Sequence, residues 1–231
     1  MLVSFLSYDI INYIVDHLFY MSTIKERRFK LNTRSKVLNL TLGAMFVALT
    51  AIGANITSIV PFLVIGGVPI TLQTFFAVMA GLVLGSRLGA FSMFVYMILG
   101  LIGAPVFAQF KGGAAMALSP TFGFILSFIL VAYVAGKIVE LRQSPSSYIL
   151  AALAATMINY LFGTHWMYAA YQLWFNTPEA VSYQLAWLWM IVPLPKDIAL
   201  AIMAGILAFR LEKQGFTKKQ SKINQHTLQE E

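Results

Sequence analysis

The chain has 231 residues, of which 59% are hydrophobic and only 11% are charged, and its mean hydropathy is +0.76. Soluble domains average roughly 45–50% apolar and about 25% charged residues, so this composition excludes a water-facing globule. The absence of cysteine excludes a disulfide-stapled secreted scaffold and thiolate metal sites. In so apolar a chain, the net charge of +7 is expected to orient the protein in a bilayer, and we expect no nucleic-acid partner. The composition therefore predicts an integral membrane protein.

Six apolar stretches predict membrane-spanning helices, because a span needs about 20 mostly apolar residues. They cover residues 37–60, 71–84, 88–107, 120–139, 147–168 and 186–209. The second stretch is short and ends at Gly85, and the sixth is interrupted by Pro193 and Pro195, which break a helix. Short or broken spans usually line a cavity, since an unpaired backbone group in lipid costs several kcal/mol. We therefore predict an all-α integral membrane protein with a six-helix transmembrane bundle over residues 37–210.

The basic residues predict the orientation of this bundle. Of the 16 Lys and Arg residues, all but Lys111 and Lys196 fall on one side of the six predicted spans. Positive residues are enriched on the cytoplasmic side of membrane proteins, so both termini are expected in the cytoplasm. Residues 211–231 then form a basic cytoplasmic tail, and the chain is a multi-pass protein of the cell membrane.

Residues 1–36 are predicted to form an N-terminal extension that ends in a basic cytoplasmic segment. Near its beginning, Asp9, Asn12 and Asp16 make a polar stripe at helical spacing. A spanning helix would bury these acids at a cost of about 2.5–3.5 kcal/mol each. The stripe therefore favours an interfacial helix, or an extension without a further role in which Met21 is an alternative start.

The chain lacks the sequence motifs of P-loop nucleotide hydrolases, zinc peptidases and serine hydrolases. Its histidines, His17, His165 and His226, are too scattered to suggest a metal site. We therefore expect this chain to hold no metal and to hydrolyse no ATP. If it takes part in energised transport, the energy comes from another chain or from an existing gradient.

A stripe of small side chains marks the first predicted helix. Ala44 and Ala48 lie four residues apart, and Thr41 and Ala51 extend the stripe. Small side chains let two helices approach closely, which gives van der Waals contact that lipid does not match. The stripe predicts either internal packing of this helix or the docking of a partner helix.

Two short stretches place polar residues in apolar surroundings. Gln73 begins the short second helix after a Gly-Gly-Val-Pro turn, and a buried amide needs partners from neighbouring backbone or from a ligand. Lys196 and Asp197 begin the last helix, directly after its prolines. An acid in the first turn interacts favourably with the helix dipole, so Asp197 either caps this helix or binds a ligand.

The connection between the third and fourth helices is rich in glycine. Gly112 and Gly113 permit close backbone approach to a small molecule, and Lys111 beside them attracts an anion. Pro120 is expected at the first position of the fourth helix, with Ser119 as its N-cap. The connection predicts a flexible lid over a ligand or, alternatively, a solvated loop.

In this order and spacing, these stretches resemble the BioY family, the biotin-specific S components of energy-coupling factor (ECF) transporters. The resemblance covers about residues 37–210, and its most specific parts are GVPITLQTFFAVMAGLVLGSRLGAFSMFVYMILGLIGAPVF and KGGAAMALSPTFGF. It implies a six-helix protein that binds biotin from outside the cell and then joins a transmembrane T component and two ATPase subunits. Biotin is then the transported ligand, and no cofactor is expected.

The resemblance also assigns residues. It implies that Ala44 and Ala48 dock the T component and that the glycine-rich connection covers the substrate. Positions of the family's motifs are matched by Gln73, Gly112, Gly113 and Asp197. The sequence departs from the usual pattern at Leu200, where the family commonly has Lys one turn after Asp197, and at residues 119–124, which read SPTFGF instead of GPTGGY. Asp197 is therefore a firmer binding residue than Lys196.

The chemistry of biotin then gives each residue an expected contact. The ureido ring offers two N–H donors and one carbonyl, so we expect Asp197 to accept the N–H bonds and Gln73 to pair with the ureido edge or carbonyl. The valerate carboxylate is expected at Lys111 or Lys196. The aromatic residues expected to cover the ring are Tyr96, Tyr160 and Trp166. A mostly apolar site with a few placed polar groups is typical for such a ligand.

Other functions also fit parts of the sequence. The chain could be an S component for another vitamin, or a biotin facilitator that works without ATPases. A small integral membrane enzyme could use Asp197, Lys196 and His165, although an enzyme needs a convergent acid, base and nucleophile, and these residues occur at no recognisable spacing. A structural subunit without a ligand is disfavoured by the glycine-rich connection and the broken sixth helix.

Overall fold

The protein is described by a computed structural model that covers residues 36–56, 71–175 and 181–214 and the backbone of two short strands between the first two ranges. The predicted interfacial helix and most of the predicted cytoplasmic tail lie outside these described residues. The chain divides into two compact units, Met1–Leu40 and Thr41–Glu231. Of the first unit, the structure describes residues 36–40 alone.

The described chain is helical, apart from one small hairpin. The helices are α1 (Lys36–Asn55), α2 (Gln73–Leu84), α3 (Ser86–Leu101), α4 (Phe122–Leu141), α5 (Pro145–Leu173), α6 (Tyr183–Ile191) and α7 (Leu194–Lys213). The hairpin pairs the antiparallel strands β1 (Val64–Ile65) and β2 (Val68–Pro69), and two short 3₁₀ helices, Ala108–Phe110 and Ala114–Leu118, lie between α3 and α4. Each of the six predicted stretches contains a helix, and the sixth contains two.

Length and hydropathy divide these helices into two groups. Helices α1, α4 and α5 are long and apolar enough to cross a membrane, and α6 with α7 passes the same test as one span bent by 54°. Helices α2 and α3 are shorter apolar helices. The fold is therefore a helical membrane-type fold, and the six crossings and the cytoplasmic termini remain predictions from the sequence.

A tight turn joins α2 to α3 and holds both against α4. Gly85 adopts φ +85°, a left-handed conformation that glycine takes without a steric cost. The Glu140 side chain at the end of α4 accepts hydrogen bonds from the Ser86 amide at 2.7 Å and from its hydroxyl at 2.8 Å. A Cβ at Gly81 would lie 2.2 Å from the Ala132 carbonyl oxygen, so α2 and α4 are in backbone contact at this point. The predicted end of the second helix at Gly85 is confirmed.

The break between α6 and α7 occurs where the prolines predicted it. Helix α6 ends at Ile191, and α7 begins at Leu194 with Pro195 in its first turn. Proline is tolerated there because the first amides of a helix have no intrahelical acceptor. This break starts α7 beside the middle of α5, and Asp197 lies in the first turn of α7.

The start of α4 differs from the prediction. The helix begins at Phe122 and not at Pro120, and Thr121 occupies the N-cap position without a side-chain hydrogen bond. Ser119 is extended and instead closes a local turn, in which its hydroxyl lies 3.0 Å from the Thr121 hydroxyl. The preceding 3₁₀ helix ends at Leu118, so the chain turns at residues 119–121 before α4 can begin.

The small-residue stripe lies on the exposed face of α1. Thr41, Ala44 and Ala48 are exposed, whereas Ala51 is half-buried against the core and Phe46 and Thr50 are buried. Within the described part of the chain, internal packing therefore explains Ala51 but not the exposed alanines Ala44 and Ala48. Docking of a partner helix remains the interpretation of these two alanines.

Candidate functional site

A cavity of about 270 Å³ lies where the start of α2, the connection before α4, the middle of α5 and the start of α7 meet. Its walls are mixed, with aromatic side chains from the connection and from α4 and polar side chains from α2, α5 and α7. The polar lining residues include Thr71, Gln73, Thr74, Lys111, Asn159, Tyr160, Lys196 and Asp197. Pockets for small ligands usually span roughly 300–1,000 Å³, so this cavity lies just below that range and suits a small ligand.

Asp197 is the buried acid of the cavity. Its side chain is placed by the first turn of α7, and the residue is 8% exposed. Its Oδ2 accepts a hydrogen bond of 2.6 Å from the Tyr160 hydroxyl on α5, and its Oδ1 pairs with the Lys196 ammonium at 2.8 Å. A carboxylate has about four lone-pair sites, so Asp197 retains acceptor capacity for a ligand.

Lys196 connects two elements of the cavity wall. Besides its ion pair with Asp197, its Nζ donates to the Thr71 carbonyl oxygen at 2.6 Å, just before α2. The side chain is one-third exposed and lines the cavity. The sequence expected Lys196 as a partner of a ligand carboxylate, but two of its three N–H donors are engaged with protein oxygens in this structure. Its clearest structural role is to hold α7 against the segment before α2.

Gln73 lies at the first position of α2 and is held from both ends of its amide. The Thr71 hydroxyl donates to its Oε1 at 3.1 Å, and its Nε2 donates to the Tyr96 hydroxyl at 2.6 Å. The Tyr96 hydroxyl in turn donates to the Val106 carbonyl oxygen at 2.9 Å. One of the two Nε2 hydrogens therefore remains for a ligand.

Tyr96 is fully buried behind Gln73 and is not among the residues that line the cavity. Its ring packs edge-on against Phe107, with a centroid distance of 5.6 Å. Tyr96 was expected to cover a ligand ring, but in this structure it does not face the cavity. Because its hydroxyl bridges Gln73 and Val106, Tyr96 positions the amide of Gln73 instead.

Asn159 lines the cavity and was missed by the sequence reasoning. It is buried on α5 next to Tyr160. The Ser127 hydroxyl donates to its Oδ1 at 2.7 Å, and its Nδ2 donates to the Thr74 hydroxyl at 3.2 Å. The signal that singled out Gln73, an amide in an apolar helix, applies equally to Asn159 and could have found it. The two amides give the cavity two further N–H donors.

The glycine-rich connection is folded over the cavity and is held by hydrogen bonds. The Phe107 amide donates to the Lys111 carbonyl oxygen at 3.0 Å, and the Phe110 amide donates to Oδ1 of Asn55 on α1 at 2.6 Å. Phe107 and the exposed Lys111 line the cavity. In this structure the backbone of the connection is tied to α1 and α3, while many of its side chains are exposed, and the flexible lid and the solvated loop both stay predictions.

Gly112 and Gly113 serve this fold and do not line the cavity. A Cβ at Gly112 would lie 2.3 Å from the Ala104 carbonyl oxygen, so this position requires glycine for the close approach of the protein's own backbone. Gly113 adopts φ +103°, and its amide donates to the Gly100 carbonyl oxygen at 2.7 Å. The sequence predicted that this glycine pair approaches a ligand, whereas in the structure the two glycines contact the backbone of Ala104 and Gly100.

Trp166 also lies outside the cavity lining. Its indole N–H donates to the Ser119 carbonyl oxygen at 3.3 Å, and its ring packs against Phe122 and Trp174. It therefore fixes the end of the connection onto α5. The aromatic side chains that do line the cavity are Phe107, Phe124, Phe128, Tyr160, Tyr171 and Phe175.

The residues considered for an enzyme do not converge. His165 is exposed, lies outside the cavity lining, and contacts the Leu161 carbonyl oxygen and the Tyr183 hydroxyl. Within the described ranges, no group of three acidic or histidine side chains could hold a metal ion. The cavity presents one buried carboxylate, two buried amides, two lysines and aromatic walls.

These features define a class, a helical membrane-type protein with a small, partly polar cavity within its bundle. Comparison with known proteins then gives the family: the chain belongs to the BioY family, whose sequence profile matches residues 24–215. It is 46% identical over 172 residues to BioYB of Bacillus subtilis, covering 74% of this chain and 85% of the relative. It is 34% identical over 170 residues to the biotin transporter BioY of Thermotoga maritima, covering 73% of this chain and 92% of the relative.

A solved structure also matches the fold. The crystal structure of the S-component for biotin from an ECF-type ABC transporter aligns with a TM-score of 0.68 and 25% sequence identity. The alignment covers 81% of this chain and 97% of that chain. The family and its named members are transporters and not enzymes, which removes the membrane enzyme as an interpretation of Asp197, Lys196 and His165.

Proposed function

We propose that this protein binds biotin as the substrate-specific S component of an ECF-type transporter and thereby serves biotin uptake across the cell membrane. The observation that carries the proposal is the combination of the buried acceptor Asp197 with the amide donors Gln73 and Asn159 around one small cavity. A ureido group needs this complement, since it presents two N–H donors and one carbonyl acceptor.

The ureido ring is assigned to the buried end of the cavity. Asp197 accepts the ureido N–H bonds while Tyr160 and Lys196 keep the carboxylate in place. Gln73 and Asn159 each have one side-chain N–H beyond those engaged with Tyr96 and Thr74, and these donate to the ureido carbonyl. Contacts with a desolvated carboxylate are stronger than in water, which favours this end for the polar ring.

The rest of the ligand is assigned to the aromatic wall and to Lys111. Phe124 and Phe128 of α4 supply apolar surface for the thiophane ring. Lys111 is exposed at the cavity, so its ammonium is available to the valerate carboxylate without losing an existing role in the wall. Lys196 is the less suitable of the two lysines because Asp197 and Thr71 already engage it.

The same proposal includes the partners and the topology. The exposed stripe Thr41, Ala44 and Ala48 supports docking of a transmembrane T component, which in turn carries two ATPase subunits. The distribution of basic residues supports six crossings with both termini in the cytoplasm and the cavity open to the outside.

The direct test is binding of radiolabelled biotin to the purified protein, with unlabelled biotin, riboflavin and thiamine as competitors. We expect unlabelled biotin alone to displace the label. Binding of riboflavin or thiamine in place of biotin would identify an S component for another vitamin. Uptake by cells that produce this chain without T and ATPase subunits would instead identify a facilitator.

A further inference from the structure

A second hollow lies on the outside of the bundle, between α5 and the bent pair α6 and α7. It has a volume of about 280 Å³. One face of α5 forms its first wall, since Leu153, Thr156, Met157, Tyr160 and Leu161 follow helical spacing. Side chains of α6 and α7, among them Trp187 and Ile198, form the other wall. We call this hollow the α5–α7 groove.

The α5–α7 groove is apolar and opens away from the bundle. Met157 is 63% exposed and Ile191 57%, so the rim is not covered within the described part of the chain. The two hydroxyls in its lining are already used, because Thr156 donates to the Ala152 carbonyl oxygen and Tyr160 donates to Asp197. The groove therefore offers a ligand apolar contact and almost no hydrogen bonding.

One polar group does remain at the groove, and it lies in an aromatic cluster. The indole N–H of Trp187 makes no hydrogen bond to the described residues, and its ring contacts His165 and Tyr183. Tyr183 also packs against Tyr168. Clusters of Trp and Tyr mark the membrane–water interface, where the ring meets the apolar chains and the N–H meets ester groups or water.

We propose that the α5–α7 groove binds an acyl chain of a membrane phospholipid, with the ester region of the lipid at Trp187. A lipid tail needs no hydrogen bond, which matches the satisfied lining. A partner helix fits less well, because helix interfaces in membranes are rich in small residues, whereas Leu153, Met157 and Ile191 line this groove. The exposed small residues lie instead on α1.

The lipid would pack against the wall of the vitamin cavity. Tyr160 and Met190 line both the groove and the cavity. The acyl chain therefore contacts the same tyrosine whose hydroxyl holds Asp197. The inference itself rests on the groove and does not depend on which vitamin the cavity binds.

Native mass spectrometry of the purified full chain, supplied with dioleoyl phosphatidylcholine and released from detergent, tests this inference. We expect one retained phospholipid on the wild type and its loss from Leu161→Phe/Ile198→Phe, which fills the groove. The matched control, Leu130→Phe/Ile206→Phe, places the same substitutions at exposed positions outside the groove lining and should retain the lipid.

No retained lipid on the wild type, or equal retention by the filled and control variants, overturns the inference. Met157→Phe provides a second filled variant at a mostly exposed position, should the double variant fail to fold. Biotin binding is measured in parallel, so a chain that binds biotin and no lipid refutes the groove without affecting the proposed function.

Discussion

Two tyrosines of α5 make the same hydrogen bond to α7, and they offer a matched pair of substitutions. The Tyr160 hydroxyl donates to Asp197 at 2.6 Å, and the Tyr148 hydroxyl donates to Glu212 at 2.7 Å. Both tyrosines and both carboxylates are buried. Of the two pairs, the pair formed by Tyr160 and Asp197 lines the cavity. Replacing each tyrosine with Phe removes one hydroxyl and keeps the ring.

The expected effect on biotin affinity follows from what happens to Asp197 when the cavity fills. In the empty cavity of Tyr160→Phe, water can replace the lost hydroxyl at Oδ2. Bound biotin excludes that water, so the complex loses a hydrogen bond to a charged group, worth about 1.5–3 kcal/mol. This corresponds to a Kd roughly 10- to 150-fold higher than that of the wild type.

Isothermal titration of biotin into each purified variant measures this effect, and thermal unfolding in the same detergent provides the comparison. We expect both Tyr160→Phe and Tyr148→Phe to lower the melting temperature and Tyr160→Phe alone to weaken biotin binding. An unchanged Kd for Tyr160→Phe, or an equal loss of affinity in Tyr148→Phe, would refute the assignment of Asp197 to the ligand.

Three further substitutions test the other assignments. Asn159→Leu keeps the branched shape of the side chain but removes the amide, and it should raise the Kd for biotin roughly 5- to 150-fold, since a buried donor is worth about 1–3 kcal/mol; an unchanged Kd would exclude Asn159 from the site. Lys111→Met should weaken biotin binding by at most roughly 5-fold, because exposed ion pairs contribute about 0.2–1 kcal/mol, and should leave biotin methyl ester unaffected; equal losses for both ligands would refute a contact with the carboxylate. Ala44→Trp should abolish copurification with a coexpressed T component at an unchanged Kd for biotin, whereas Met45→Trp, exposed beside the stripe, should retain the partner; loss of the partner in both variants would contradict docking through the small residues.

Helix positions could be predicted from the sequence because lipid-facing helices need long apolar runs and because glycine and proline interrupt them. Gly85 and the prolines near residue 193 mark the observed breaks. The predicted helix ends were less accurate than the predicted helix positions. Helix α5 runs from Pro145 to Leu173, beyond the predicted residues 147–168 at both ends, and its earlier start is capped by Ser144 through the Ser147 amide. The start of α4 depends on a turn at Ser119 that hydropathy does not report.

The cavity was predictable where a polar residue stands out from its apolar surroundings. Gln73, Tyr160, Lys111, Lys196 and Asp197 were all singled out and all line it. The sequence could not show which of Lys111 and Lys196 is free to bind a carboxylate. Lys196 is engaged because it contacts the carbonyl oxygen of Thr71, which is distant in the sequence.

Aromatic residues were harder to place. Tyr96 and Trp166 lie in helices that are apolar on most sides, so the pattern does not indicate which face points to the cavity. The structure uses their polar groups to hold Gln73 and Ser119. The glycines of the connection indicate a close backbone contact, but the sequence does not show whether the contact is with a ligand or with the protein. In the structure, Gly112 approaches the backbone of Ala104.

The cavity around Asp197 is proposed to bind biotin through this carboxylate. Calorimetric titration of biotin into the wild type and into Asp197→Asn tests it most directly, because the substitution keeps the shape and replaces an acceptor with an N–H that opposes the ureido N–H. We predict one biotin bound per wild-type chain and an affinity at least roughly 30-fold lower for the variant, since breaking a buried charged hydrogen bond costs about 2–5 kcal/mol. Equal affinity of a folded Asp197→Asn variant would contradict the claim.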